Sequence, residues 1–334
     1  MAAPAAGGAD HISALPDGVL QHVLGFLEAD EAVRTSVLAR RWRCLWRFMA
    51  ALRVTRGGTV SSSRNFLDHL LDLRGRSALD ACLFRFTYDI GYCDSPPGDD
   101  DTCLNRWIRH ALSQGVQELS VDVQVEGPKK FRWFLLDNLH VVSQSLAKLR
   151  LEGVVLDLQS NSLDFSSCPA LKELNLTDCY VMDDTDCISS TSLACLSIHE
   201  CFFSHDRVVR LSTPNLISLQ VTHCTGLTPI IGFMPALVTA RVIFSNSSDS
   251  CIHGDPGYCV DASCTWCYRR VDDGSAGCVI LRGVSAATSL ELISAPRMVL
   301  FLPFKCFNTF NRALYFDYYY PLFFLPFYIW FRHR

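Results

Sequence analysis

Between Leu15 and Trp46 the apolar residues fall at helical spacing. Val19, Leu20, Val23, Leu24 and Leu27 recur three and four apart, which makes an apolar stripe on one helix. Pro16 opens this helix as its first residue, where a missing N–H leaves nothing unsatisfied. Gly25 weakens the helix near its end, and Asp30 is placed to cap the next one. Ala32, Val33, Ser36 and Val37 repeat the stripe, and Arg40-Arg41-Trp42 leads into a third segment closed by Leu45 and Trp46. Helices this short cannot bury their apolar faces on one another, so the pattern implies a partner that completes their core.

Beyond the helical stretch the period changes. Phe66, Leu67, Leu70 and Leu71 predict a short helix ended by Gly75. Residues 79–88 alternate apolar and polar like a half-buried strand, and 91–101 are an acidic, turn-rich loop. Leu104, Trp107, Ile108, Ala111 and Leu112 return to helical spacing, and 116–121 to strand.

From there the chain repeats. SLAKLRLEGV, ALKELNLTDC, SLACLSIHEC and NLISLQVTHC share one pattern of apolar places, L-x-x-L-x-L, and ALVTARVIFS is a weakened copy. Their second apolar places are Leu149, Leu174, Leu196, Leu219 and Ala240, so the steps are 25, 22, 23 and 21 residues. That is a leucine-rich-repeat period, and it predicts a solenoid with a parallel sheet on its concave side. The small residue closing the motif is Cys179, Cys201 or Cys224. Stacked repeats put these thiols in a row along the axis, as small buried hydrophobes and not around a metal. Period-two geometry points Glu118, Ser120 and Asp122 out of the concave sheet, together with Lys148, Arg150, Glu152, Glu173, Asn175 and Thr177. Ser197, His199, Ser218, Gln220, Thr222, Thr239 and Arg241 continue that face. The mixture carries both charge signs and no catalytic grouping, which suits recognition of a protein surface.

The helical stretch also resembles a known family. Leu15-Pro16-Asp17, Val19-Leu20, Val23-Leu24, Phe26-Leu27, Ala32-Val33, Thr35-Ser36-Val37-Leu38 and Arg40-Arg41-Trp42 with Leu45-Trp46 look like a plant F-box, of the class that carries leucine-rich repeats behind it. The unit LNRWIRHALSQGVQELSVDV resembles the link region of the same class. The resemblance implies an α+β to α/β chain with a three-helix F-box at 10–50. A link region with the first repeat strands follows at 51–125, then a solenoid over 126–297 with a loop insertion at 245–270. It implies docking on a Skp-type adaptor, and through it on a cullin, by Leu15, Pro16, Val19, Leu20, Val23, Leu24 and Leu27. The chain is then expected to be a non-catalytic substrate receptor of a Skp–cullin–F-box ubiquitin ligase. A non-degradative adaptor or an inactive relative lacking part of its target-binding region is the other reading. Target binding falls to the outward row from Lys148 to Thr222, and the target itself is not legible.

Composition narrows this further. A net charge of −4 over 334 residues gives no drive towards nucleic acid or anionic membrane. Residues 1–9 read as a disordered leader without a basic n-region. Sixteen scattered cysteines argue for reduced thiols in the cytosol or nucleus. No nucleotide loop, nucleophile elbow or spaced carboxylate pair is present, so no active site or cofactor is expected. Cys251, His253, Cys259, Cys264 and Cys267 are the one grouping with zinc-like spacing, but a second knuckle is missing, and free thiols in a loop are expected. Of the 37 aromatic residues, 15 fall in 301–334. That makes 298–334 an aromatic tail outside the family pattern; a membrane anchor is the rival reading, opposed by Asp317, Pro321 and Pro326.

Overall fold

The structure, a computed structural model, describes residues 12, 14–55, 58–89, 99–126, 134–137, 141–157, 162–181, 187–203, 209–226, 229–244, 283–294, 315–317 and 327–332. The cysteine grouping at 251–267 and the 245–270 insertion lie outside them.

The N-terminal unit consists of α1 (Asp17–Leu24), α2 (Ala29–Arg34), a short 3-10 turn at Thr35–Val37 and a longer 3-10 helix at Arg40–Phe48. Pro16 is the cap before α1, one residue earlier than its expected place. Arg41 reaches back to fix this entry, donating from Nη2 to the Leu15 carbonyl at 2.5 Å and from Nε to Asp17 at 2.7 Å. The cap of α2 is Glu28 and not Asp30. The Glu28 N–H donates to the Glu31 carboxylate at 3.4 Å, while Asp30 sits inside the first turn and pairs with Arg34 at 3.1 Å.

Three parallel strands follow, Ala51–Val54, Ala81–Asp89 and Glu118–Glu126, linked by α3 (Val60–Arg74) and α4 (Asp99–Ser113). Both helices run longer than the apolar spacing alone indicated. α4 backs the sheet through Trp107, whose ring lies 6.3 Å from Phe84 and 5.7 Å from Phe86. Trp107 Nε1 donates to Asp68 at 2.8 Å, which gives the one polar atom of that side chain a partner.

The same sheet continues in parallel through Lys148–Glu152, Glu173–Thr177, Cys195–His199, Ser218–Gly226, Thr239–Phe244 and Ser289–Ser294. Among the described residues, two further rows of short parallel strands back these later strands. One row holds Phe134–Asp137, Val154–Asp157, Tyr180–Val181, Phe202–Phe203 and the end of the Ser218–Gly226 strand. The other holds Ser162–Asp164, Cys187–Ser189, Arg210–Ser212 and Ile230–Ile231. The parallel sheet is compatible with a leucine-rich-repeat stack, and Leu149, Leu174, Leu196, Leu219 and Ala240 stand in one buried, in-register row.

The strands Lys148–Glu152, Glu173–Thr177 and Cys195–His199 each end in a tight left-handed turn, and Ser218–Gly226 makes one at His223. At Gly153 (φ +69°) a Cβ would meet the Val123 carbonyl oxygen at 2.0 Å, so only glycine fits there. The equivalent places in later coils are Asp178, Glu200 and His223, with φ between 47° and 56°. Behind these turns lie the motif cysteines. Cys179 and Cys201 are buried and Cys224 is half-buried, each with Sγ against backbone carbonyls. Contact with Cys179, together with burial, holds the Cys201 thiol well above its usual range, and burial pushes Cys224 up to about 12. Cys201 and Cys224 are therefore protonated, unreactive thiols.

Two described stretches of the aromatic tail join the sheet. Phe327–Arg332 pairs antiparallel with Ser289–Ser294, and Tyr315–Asp317 pairs antiparallel with Phe327–Arg332. Composition sets this stretch outside the repeats, yet Tyr315–Asp317 and Phe327–Arg332 add to the end of the sheet with the strand direction reversed. Among the described residues no helix is long and apolar enough to cross a membrane. Within 283–294 the structure holds a turn and the single strand Ser289–Ser294.

Candidate functional site

Two surfaces stand out, and the first is the outside of the N-terminal unit. The α1 stripe is split between two faces. Leu20 and Leu24 are each 1% exposed and belong to the core, whereas Val19 and Val23 are 44% and 47% exposed. Each pair is four apart, so each forms its own row, one turned inward and one outward. Leu15 and Pro16 are exposed beside the outward row, and Leu27 is partly buried against the core. Ile12, Phe26, Val37, Leu38 and Phe48 are exposed as well, although sequence reasoning placed Val37 in an apolar stripe. Of the thirteen large apolar side chains exposed among the described residues, eight lie between 12 and 48. That concentration marks an interaction surface.

The inner side of this unit is welded to the strands that follow. Its buried residues share one core with Leu52, Leu67 and Leu70. Arg74, 4% exposed, donates to the carbonyls of Trp46 at 3.1 Å, Met49 at 2.9 Å and Ala78 at 3.4 Å, and burial lowers its pKa. Glu28 accepts from the Thr55 N–H at 2.8 Å and from its hydroxyl, and Arg53 Nε donates to the Gly25 carbonyl at 3.1 Å. Nothing in the apolar periodicity pointed to Arg74, because a charged residue at the end of a helix reads as solvated.

The second surface is the concave face. Pairing register places Lys148, Glu173, Cys195, Ser218, Thr239 and Ser289 in one row across the strands. Arg150, Asn175, Ser197, Gln220, Arg241 and Glu291 form the next. Arg85, Asp122, Glu152, Thr177, His199 and Thr222 form the third. Arg150 and Gln220 are exposed; Lys148, Glu173, Asn175, Thr177, Ser197, His199 and Ser218 are half-buried. Thr222 is buried, its hydroxyl 2.7 Å from His199 Nδ1, so it serves to hold the imidazole. Cys195, Ser289 and Glu291 complete the face; the same alternation marks them in the sequence.

Charge is concentrated in the first coils of this face and largely neutralised there. Arg85 pairs with Asp122 at 2.5 Å and Lys148 with Glu173 at 2.5 Å. Glu152 stands beside Asp122 in register, and partial burial, then the Asp122 charge, raise its pKa. From Asn175 to Thr239 the outward groups are hydroxyls, amides, one thiol and an imidazole. Among the described residues no group of His, Cys, Asp or Glu could hold a metal ion.

A helical unit with an apolar outer face is thus fused to a long parallel sheet whose outward face is polar. Residues 12–50 match the F-box domain. F-box/LRR-repeat protein At2g42720 of Arabidopsis thaliana is 29% identical over 265 residues, 70% of this chain and 57% of that protein. F-box/LRR-repeat protein 13 of the same plant is 31% identical over 220 residues, 64% of this chain and 46% of its own length. The chain thus carries an F-box domain and is homologous to plant F-box/LRR-repeat proteins, whose length it spans by about half. No solved structure matches it.

Proposed function

We propose that this chain is a substrate receptor of a Skp–cullin–F-box ubiquitin ligase, acting in the cytoplasm or nucleus. The F-box docks a Skp-type adaptor through Leu15, Pro16, Val19 and Val23, with Leu20 and Leu24 supporting that surface from beneath and Leu27 at its edge. The parallel coils form a leucine-rich-repeat solenoid whose concave face holds a target protein. The chain supplies no catalytic group in this reading; it accelerates transfer by holding the target near the conjugating machinery. The observation that carries the reading is the apolar surface between 12 and 48, set on a domain that matches the F-box.

Co-purification with a Skp-type adaptor tests it. Val19→Asp with Val23→Asp adds two charges to a surface and none to the core, so circular dichroism should be unchanged while adaptor capture is abolished. Full capture by this double variant would overturn the reading.

A further inference from the structure

Among the described residues a cavity of about 140 Å³ lies on the last strands of the concave face. Ser218, Thr239 and Ser289 line one side, in register on neighbouring strands, with Thr239 donating to Ser218 at 3.0 Å. Gln220, Arg241 and Glu291 line the other side, also in register, and Arg241 Nε donates to Glu291 at 3.0 Å. The backbone of Leu219, Ala240 and Leu290 forms the floor, since these side chains are buried on the opposite face. The walls therefore combine hydroxyls, a carboxamide and an ion pair with no net charge.

That lining selects by exclusion. An apolar side chain seated here would strip water from three hydroxyls and an amide and return no hydrogen bond. A charged side chain would lose its own hydration and meet a cation and an anion that already neutralise each other. A phosphate would face the Glu291 carboxylate. A carboxamide loses least: its carbonyl accepts from Arg241 or a hydroxyl, and its NH₂ donates to Glu291 or a hydroxyl.

We infer that this trough is an anchoring subsite for one Asn or Gln side chain in an extended segment of the target. The inference rests on the concave face being the target surface, and it names what that face reads at its far end. Short segments docked in this way derive specificity from a few well-lined pockets.

The full chain, co-purified with a Skp-type adaptor, is screened against a positional-scanning library of short unphosphorylated peptides. Enrichment of Asn or Gln at one position is expected. In Thr239→Val with Ser289→Ala, two hydroxyls are lost and that preference should fall about tenfold. Enrichment of acidic, basic or aromatic residues instead, or an Asn/Gln preference untouched by the double variant, would overturn the subsite. Peptide binding that is lost on Asn175→Ala yet indifferent to the trough would sink the subsite and spare the concave-face reading. An absence of peptide binding to any part of this face would count against both.

Discussion

The outer face of the F-box and the concave face of the coils are both open to water, and their chemistry is opposite. One exposes Val19, Val23, Phe26, Val37 and Leu38; the other exposes hydroxyls, amides and ion pairs such as Lys148–Glu173 and Arg241–Glu291. So many large apolar side chains exposed together are costly in a free chain, and the proposed adaptor would cover them. A polar face with internally paired charges is stable while empty and discriminates among partners by hydrogen bonds that must be matched. In the proposed receptor, the apolar end would supply affinity for one adaptor and the polar face selectivity among targets. They are joined through one core: Leu20, Leu24 and Met49 belong to the same buried cluster as Leu52, Leu174 and Leu196.

Changes to that shared core should erase the distinction, and changes to either surface should sharpen it. The largest effect is expected for Leu196→Asp. This side chain is 1% exposed between Leu174 and Leu219, and a buried carboxylate there finds no partner. A loss on the order of 5 kcal/mol, seen as collapse of the urea midpoint and rapid proteolysis of adjacent coils, is expected. By contrast, Gln220→Ala on the same sheet should leave the fold intact. Loss of structure from Gln220→Ala would break the register on which the comparison stands.

Leu20→Ala comes next, at about 2–4 kcal/mol, because it leaves a cavity beneath the docking surface. Its outward neighbour Val19→Ala should barely alter stability and should weaken adaptor capture. Equal effects in chemical denaturation would mean that the two rows of α1 are not separated as described.

Arg74→Met tests the joint between the regions. It deprives three backbone carbonyls of a charged donor, at a cost of about 2 kcal/mol. Hydrogen exchange should then rise at Trp46–Met49 before it rises in the later coils. Exchange rising evenly along the chain would show that Arg74 does not hold this joint in particular.

The smallest effect is a pH dependence on the concave face. Glu152 has its pKa raised, by burial and then by Asp122, so the folded state binds its proton more tightly than the unfolded chain. Stability therefore falls as pH rises from the ordinary Glu range through the raised value. Glu152→Gln should remove that slope and be slightly favourable at neutral pH. An unchanged slope in urea titrations across this window would sink the assignment.

Much of this was legible in the chain itself. The spacing of Leu149, Leu174, Leu196 and Leu219 located the sheet and its register, and the motif around Leu15-Pro16 and Arg40-Arg41-Trp42 located the F-box. Both are local periodicities, fixed by how many residues one helical turn or one pleat consumes. The split of α1 was not legible, because Leu20 and Val19 are equally apolar and differ only in what stands opposite them. Nor was the capping by Glu28 in place of Asp30, since Glu28 is held there by Thr55, far along the chain.

Local spacing specifies the order of helices and strands, the inward and outward sides of the sheet strands from Glu118 to Arg241, and the row of motif cysteines. Packing across the chain sets which F-box residues are buried, that helices back the first strands while, among the described residues, short strands back later ones, and that Arg74 joins the F-box to the sheet. It also decided that Phe327–Arg332 closes the sheet in the reverse direction. The physical reason is range: periodicity is written in neighbours a few residues apart, whereas burial depends on surfaces brought together from distant parts of the chain.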